Sequence, residues 1–321
     1  MQALRSVNRT SPRILLIGLY DLGFRALEAL AARNLPVVGV VTKPEGFLET
    51  RPLARLARAM AIPLFAPESP RESPFLRRAE ALAPDLLAVA GYHKILPTAL
   101  LRLPPRGAIN LHGSLLPEYR GPCPWKWAIL NGESKTGATV QRMAAELDRG
   151  DILTQCEVPI DPEDTGESLF LKICEAAGPL LARTIEELEA GTIVPRAQDE
   201  RKASYQGYPT DDDARVRWER SADKIRNQVR AFHPRPGAWT AYGGRRVEIR
   251  TAIPVEGPLA PLPGMILGRS HDELIVSTGG GNLSISGLSI DGQSPFLASS
   301  LLMPGTFFDP RPVKESPLQT L

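Results

Sequence analysis

The chain has 321 residues, of which 43% are hydrophobic and 23% charged, and its formal net charge is +2. This length accommodates one large domain and a smaller one, each with a core, and a near-neutral charge makes no demand for a polyanionic partner. The three scattered cysteines, Cys123, Cys156 and Cys174, form no C-x-x-C pair, which argues against a disulfide scaffold or a structural zinc site and fits a reducing cytoplasm.

The first dozen residues carry Arg5 and Arg9 but lack the apolar stretch of a signal peptide. No apolar run approaches the span of a bilayer, so a cytoplasmic protein without a membrane partner is expected. Residues 13–18 (RILLIG) are apolar almost throughout, as a buried parallel strand tends to be. Residues 20–23 read as a turn, 24–33 as a helix and 37–42 as a second strand, and this β-α-β start predicts a doubly wound α/β sheet. Gly18 and Gly23 complete no G-x-G-x-x-G or phosphate-loop pattern and read as tight strand-to-helix packing. Residues 44–50 form a short loop, and 51–60 a helix with Arg51, Arg55 and Arg58 on one face, either a solvated face or a clamp for phosphates. A further buried strand at 86–90 runs into GYHKILP, residues 91–97, and a short helix over 97–103.

The most informative stretch is GAINLHGSLLPEYRG, residues 107–121, with LDRGDIL, residues 147–153, downstream. Alternation over residues 108–112 suits a strand, and side chains two apart then share a face, so Asn110 and His112 point the same way. An amide donates to a developing oxyanion, and an imidazole donates or moves a proton near neutral pH. Asp148, on a turn made by Arg149 and Gly150, supplies a carboxylate to orient the ring. The bland alternative is a satisfied polar pair on a strand and an ordinary Asp-x-Gly turn. Ser114 has no base placed for it and reads as a loop residue or a phosphate contact. No cluster with metal-ligand spacing occurs, and no metal is expected.

Residues 124–130 form a helix with proline in its first turn, where Trp125 and Trp127 either stack on a substrate or pack internally. Residues 136–143 and 151–158 read as strands, and 165–191 as a long helix ending at Gly191. Composition turns polar over 196–213. The expected division is therefore an N-terminal domain at 1–197, a linker at 198–212, a second domain at 213–310 and a tail at 311–321. The second domain carries a helix over 221–232 and short strands at 247–251, 264–267, 274–278 and 283–285, with a hairpin turn at 279–282, which together fit a small barrel.

N-x-H-G-S-L-L-P-x-Y-R-G, then N-G-E-x-x-T-G-x-T, then D-x-G-D-I-L resembles the 10-formyltetrahydrofolate-dependent formyltransferases over roughly residues 13–304. That family includes the methionyl-tRNA, glycinamide ribonucleotide and sugar-nucleotide N-formyltransferases. The resemblance implies a Rossmann-like formyltransferase domain followed by an OB-like β-barrel domain. It implies formyl transfer from 10-formyltetrahydrofolate to a primary amine, with Asn110, His112 and Asp148 catalytic. His93, Lys94, Ile95, Leu96 and Gly150 would line the folate site, and Tyr20, Asp21, Ser114, Tyr119 and Arg120 the acceptor site. The family's methionyl-tRNA members carry a longer Gly- and Lys-rich insertion where this chain has only EGFLET between Pro44 and Arg51. Residues 213–310 hold eleven Lys or Arg against nine Asp or Glu, a difference of +2, without a broad basic stripe. The resemblance is therefore strongest to the sugar-nucleotide enzymes, with a nucleotide-linked amino sugar as acceptor. The alternatives are methionyl-tRNA, a hydroxyornithine or carrier-bound amino acid, or a folate- or nucleotide-binding module without activity.

Overall fold

The computed structural model describes residues 11–44, 51–257, 262–292 and 301–309. They fall into two compact units, one drawn from residues 1–124, 135–159 and 170–206, the other from 125–134, 160–169 and 207–321. The loop expected at 44–50 lies outside the described residues from 45 onward, as do the side chain of Arg51 and the expected tail at 311–321.

The first unit is built on a seven-stranded sheet. Its elements are β1 (Ile14–Gly18), α1 (Tyr20–Ala32), β2 (Val37–Val41), α2 (Arg51–Ala59), β3 (Leu64–Phe65), α3 (Ser73–Ala81), β4 (Leu86–Ala90), α4 (Thr98–Leu101), β5 (Ala108–His112), β6 (Lys135–Arg142) and β7 (Ile152–Pro159). Between β5 and β6 runs α5 (Pro124–Asn131), and after β7 comes α6 (Gly166–Ala190). The strand order is β3-β2-β1-β4-β5-β6-β7, parallel from β3 to β5 and antiparallel from β5 to β7. The strands of the parallel part are apolar because both of their faces are covered. Leu15, Ile17, Leu87 and Val89 pack with Phe75 and Ala79 of α3, Leu96 and Leu100. Ile14 and Leu16, which point the other way, are equally buried. The expected turn at residues 20–23 is instead the first turn of α1, which begins at Tyr20 with φ 55°. Gly23 lies inside that turn because it packs on the end of β1: a Cβ there would stand 2.9 Å from the Gly18 carbonyl carbon.

The second unit is β-rich. After a single helical turn, α7 (Asp211–Ala214), comes α8 (Ala222–Phe232), followed by β8 (Ala238–Tyr242), β9 (Arg245–Ile249), β10 (Thr251–Val255), β11 (Ile266–Ser270), β12 (Glu273–Ser277), β13 (Asn282–Ser286) and β14 (Ser289–Ile290). They make a four-stranded sheet, β10-β13-β12-β11, and a three-stranded sheet, β14-β9-β8. Residues 279–282 turn between β12 and β13, with the Thr278 N–H donating to the Gly281 carbonyl. Ile225, Val229 and Phe232 of α8 are buried, and Trp218 stacks on Phe308 with centroids 5.1 Å apart while its indole N–H donates to Thr240. The α5 tryptophans belong to this unit, and the Trp127 indole donates to the Gly207 carbonyl.

Candidate active site

In a parallel sheet the loops that leave the carboxyl ends of adjacent strands converge on one edge, and ligands bind there, where strand order reverses. Here the reversal is at β1, flanked by β2 and β4. Tyr20 and Asp21 follow β1, His93, Lys94, Ile95 and Leu96 follow β4, and Ser114, Tyr119 and Arg120 follow β5, so the structure sets all three groups of expected residues at the same end of the sheet.

Asn110 and His112 share a face of β5, and the antiparallel partner β6 sets Gln141 opposite Asn110 and Thr139 opposite His112. One strand further, Gln155 of β7 lies opposite Thr139. A polar file thus crosses three strands. Asp148 reaches it from the turn between β6 and β7. Its Oδ1 accepts from the Asn110 amide at 3.4 Å and the Gln141 amide at 3.1 Å, and its Oδ2 accepts from the Gly121 N–H at 3.0 Å. The His112 Nδ1 lies 3.7 Å from the same Oδ2. Asn110, His112 and Asp148 are therefore brought together, with the His112 and Asp148 side chains only 9% and 8% exposed. Asp148 adopts φ 54°, a left-handed conformation that costs a non-glycine residue on the order of 1–3 kcal/mol and gathers at functional sites. Gly150 is required for the turn, because a Cβ there would sit 1.7 Å from the Arg142 carbonyl oxygen.

The loop after β5 is held from behind. Thr139 Oγ1 donates to the Ser114 carbonyl and accepts from the Leu116 N–H and the Gln155 amide. The Ser114 hydroxyl is fully buried and donates to the Glu118 carbonyl at 2.7 Å. Arg120 is 4% exposed, and its guanidinium donates to Gln198 Oε1 and to both carboxylate oxygens of Glu200. Both side chains are thus committed to protein partners. Arg120's hydrogen bonds hold the Glu200 carboxyl below its ordinary range.

Residues 198–206 read as linker from composition, yet they are stitched onto this loop. The Arg120 N–H donates to the Ser204 carbonyl, the Gln206 N–H to the Arg120 carbonyl, and the Tyr119 N–H to the Ser204 hydroxyl. Just ahead of them, Arg196 pairs with Ile152 through both backbone groups and donates to Gln155 Oε1. Gln141, Thr139, Gln155 and Gln198 also contribute to the site and were not among the expected site residues. Thr139 closes the N-G-E-x-x-T-G-x-T motif and with Gln141 shares one face of β6; Gln155 and Gln198 carry no such signal.

On the other wall, Ile95 is 78% exposed beside the buried Leu96, an apolar surface of the kind a pterin ring needs. His93 stands 5.2 Å from the Tyr92 ring, and its pKa falls to about 4 through burial, reinforced by the charges of Lys43 and Lys94. Burial pushes the Tyr92 hydroxyl the other way, upward. Among the described residues no group of three His, Cys, Asp or Glu is placed to hold a metal ion, and no helix is long and apolar enough to cross a membrane.

Comparison with known proteins identifies the family. Residues 21–185 match the formyl transferase family and residues 210–303 its C-terminal domain. The methionyl-tRNA formyltransferase of Acidobacterium capsulatum is 38% identical over 292 residues, covering 87% of this chain and 94% of that protein. That of Geobacillus thermodenitrificans is 38% identical over 296 residues, covering 90% and 93%. Among solved structures, the N-formyltransferase of Helicobacter canadensis in complex with folinic acid and dTDP-3-aminofucose superposes with TM-score 0.68 at 16% identity, over 87% of this chain and all of that one. HypX of Aquifex aeolicus in complex with tetrahydrofolic acid superposes with TM-score 0.63 at 22% identity, over 87% of this chain and 44% of HypX. At such identities the two structures speak for the fold. The chain belongs to the formyl transferase family. It is a folate-dependent N-formyltransferase whose one-carbon donor is a formyl-folate.

Proposed function

We propose that the acceptor is the amino group of methionyl-tRNA. The observation that carries this reading is the 38% identity to methionyl-tRNA formyltransferases along about nine-tenths of the chain, through both matched regions, against 16% to the enzyme bound to a dTDP-sugar. A nucleotide-linked amino sugar is the second reading, favoured by the six-residue EGFLET segment where a longer basic insertion is expected. On either reading residues 213–310 form an OB-like domain, and the first reading places the enzyme in the cytoplasm with charged tRNA.

The donor supplies the formyl carbon, and the new bond joins that carbon to the acceptor nitrogen while the bond to the folate nitrogen breaks. The acceptor amine must be neutral, since an ammonium has no lone pair. Asn110 directs one amide N–H to Asp148 and keeps the other for the formyl oxygen as it gains charge. His112 Nε2 donates to the Tyr119 carbonyl, so the neutral ring carries its lone pair at Nδ1, beside Asp148. Nδ1 takes the proton released by the amine, and the carboxylate stabilises the resulting imidazolium until the proton passes to the leaving folate nitrogen. The residues after β4 (His93, Lys94, Ile95 and Leu96), together with Gly150, form the folate wall, and Tyr20, Asp21 and the Ser114–Tyr119–Arg120 loop bound the acceptor side.

The test offers the full-length protein 10-formyltetrahydrofolate with methionyl initiator tRNA, UDP- and dTDP-linked amino sugars, or hydroxyornithine. Formylated product is measured by mass spectrometry. Methionyl-tRNA is expected to give the highest kcat/KM. A sugar that matches or exceeds it reverses the assignment.

A further inference from the structure

We infer that Gln198 is a positioning residue for formyl transfer: it pins the turn that carries Asp148 and braces the Gln141 amide that donates to the Asp148 carboxylate. The inference rests on the roles proposed above for Asn110, His112 and Asp148.

The argument is one of donors and acceptors. A guanidinium only donates, and Arg120 Nε and Nη2 lie 3.1 and 2.8 Å from one end of the Gln198 amide, so that end is the oxygen. A backbone carbonyl only accepts, and the carbonyls of Asp148 and Gly150 each lie 2.8 Å from the other end, so that end is the nitrogen. Neither end can be exchanged without opposing like groups. The same nitrogen stands 3.2 Å from Gln141 Oε1, its longest contact, so three acceptors share its two hydrogens. The Gln141 nitrogen is left to donate to Asp148 Oδ1 at 3.1 Å. The contacts thus run from Arg120 through Gln198 and Gln141 to Asp148. With Gln198 removed, Gln141 Oε1 loses the donor that faces it, and only the carboxylate, which accepts, still holds the Gln141 nitrogen. The two carbonyls that flank Arg149 lose their shared donor at a turn already held at φ 54°.

The relay is anchored outside the sheet. Arg120 is fixed by Glu200 through Nη1 at 3.0 Å and Nη2 at 2.7 Å. Arg196, two residues before Gln198, donates from its guanidinium to Gln155 Oε1 at 2.8 Å. The segment from 196 onward therefore meets two glutamines of the polar file with two of its own side chains.

The experiment compares Gln198→Met, Gln198→Glu, Gln141→Met, the double Gln198→Met/Gln141→Met and Asp148→Asn in the full chain, with kcat and both KM values measured. Misplacing a reacting group by a fraction of an ångström typically costs on the order of 10–100-fold, so Gln198→Met is expected to lower kcat by that factor while either KM moves by less than about twofold. Gln198→Glu keeps an acceptor for Arg120 but deletes the donor, and the same loss is expected. Because both glutamines act on the one carboxylate, their losses are expected to be less than additive in the double variant. Wild-type kcat in Gln198→Glu, a raised KM at constant kcat, or fully additive losses each overturn the inference. If Asp148→Asn retains wild-type kcat, the catalytic reading itself fails. If Asp148→Asn abolishes turnover while both Gln198 variants keep it, only the positioning role fails.

Discussion

The Nε2 of His112 lies 2.9 Å from the carbonyl oxygen of Tyr119, and that contact decides which ring nitrogen faces Asp148. A glutamine at this position can still donate to the Tyr119 carbonyl, so the loop keeps its anchor, but it cannot take up a proton. Proton transfer by a positioned side chain typically contributes about 10²–10⁴-fold. His112→Gln is therefore expected to lower kcat by at least about 100-fold and leave the urea midpoint close to wild type. A variant that keeps kcat within about tenfold would remove His112 from the proton path.

Gly150 lies so close to β6 that a methyl group there would overlap the Arg142 carbonyl. The oxygen belongs to backbone in a sheet and cannot swing aside. In Gly150→Ala the turn has to lift off the strand, which pulls the Asp148 carboxylate away from Asn110 and Gln141. Overpacking of this kind costs about 1–3 kcal/mol, read as a lowered urea midpoint, and turnover falls with it. Full activity at wild-type stability would show that the turn moves freely and does not set the carboxylate's place.

Alternation around Asn110 and His112, and the apolar runs of β1, β2 and β4, were legible because period and burial leave direct marks on a sequence. Several other elements left little or none. β3 is two residues long, and α3 buries only Phe75 and Ala79 and so carries a weak apolar period. β8 follows immediately on the HPRPG segment, whose prolines mark the end of α8 and obscure the strand beyond. Residues 196–206 are polar, which composition cannot distinguish from a solvated linker. Their polarity serves hydrogen bonds to the Ser114–Gly121 loop and the Asp148 turn, so only three-dimensional placement reveals it. The positive φ of Tyr119 and Asp148 was hidden for the same reason: neither is a glycine, and the packing around them imposes the conformation.

Thr139 offers a test of the polar file apart from the catalytic groups. Valine matches its shape but not its hydroxyl, leaving the buried Leu116 N–H without an acceptor and the Ser114 carbonyl without this donor. An orphaned buried group costs about 1–3 kcal/mol. Thr139→Val is expected to be destabilised by that amount in urea unfolding, and Thr139→Ser, which restores the hydroxyl, to recover most of it. A wild-type urea midpoint in Thr139→Val would show that these hydrogen bonds do not hold the loop.

His93 supplies a prediction in pH. Burial, with Lys43 and Lys94 adding to it, lowers its pKa from the ordinary 6.5 to about 4, so the folded ring is neutral where the unfolded ring is charged. Between those two values the unfolded chain binds the extra proton, and stability falls as pH drops from 6.5 towards 4; above 6.5 the contribution is complete and flat. His93 is an exposed residue, and solvent screens part of the effect. His93→Gln is expected to flatten the pH dependence of the urea midpoint across that window. The imidazole proton resonances of His93 should hold their neutral shifts at pH 5. Titration of those resonances near pH 6.5 would mean that the ring stays fully hydrated and that neither lysine reaches it.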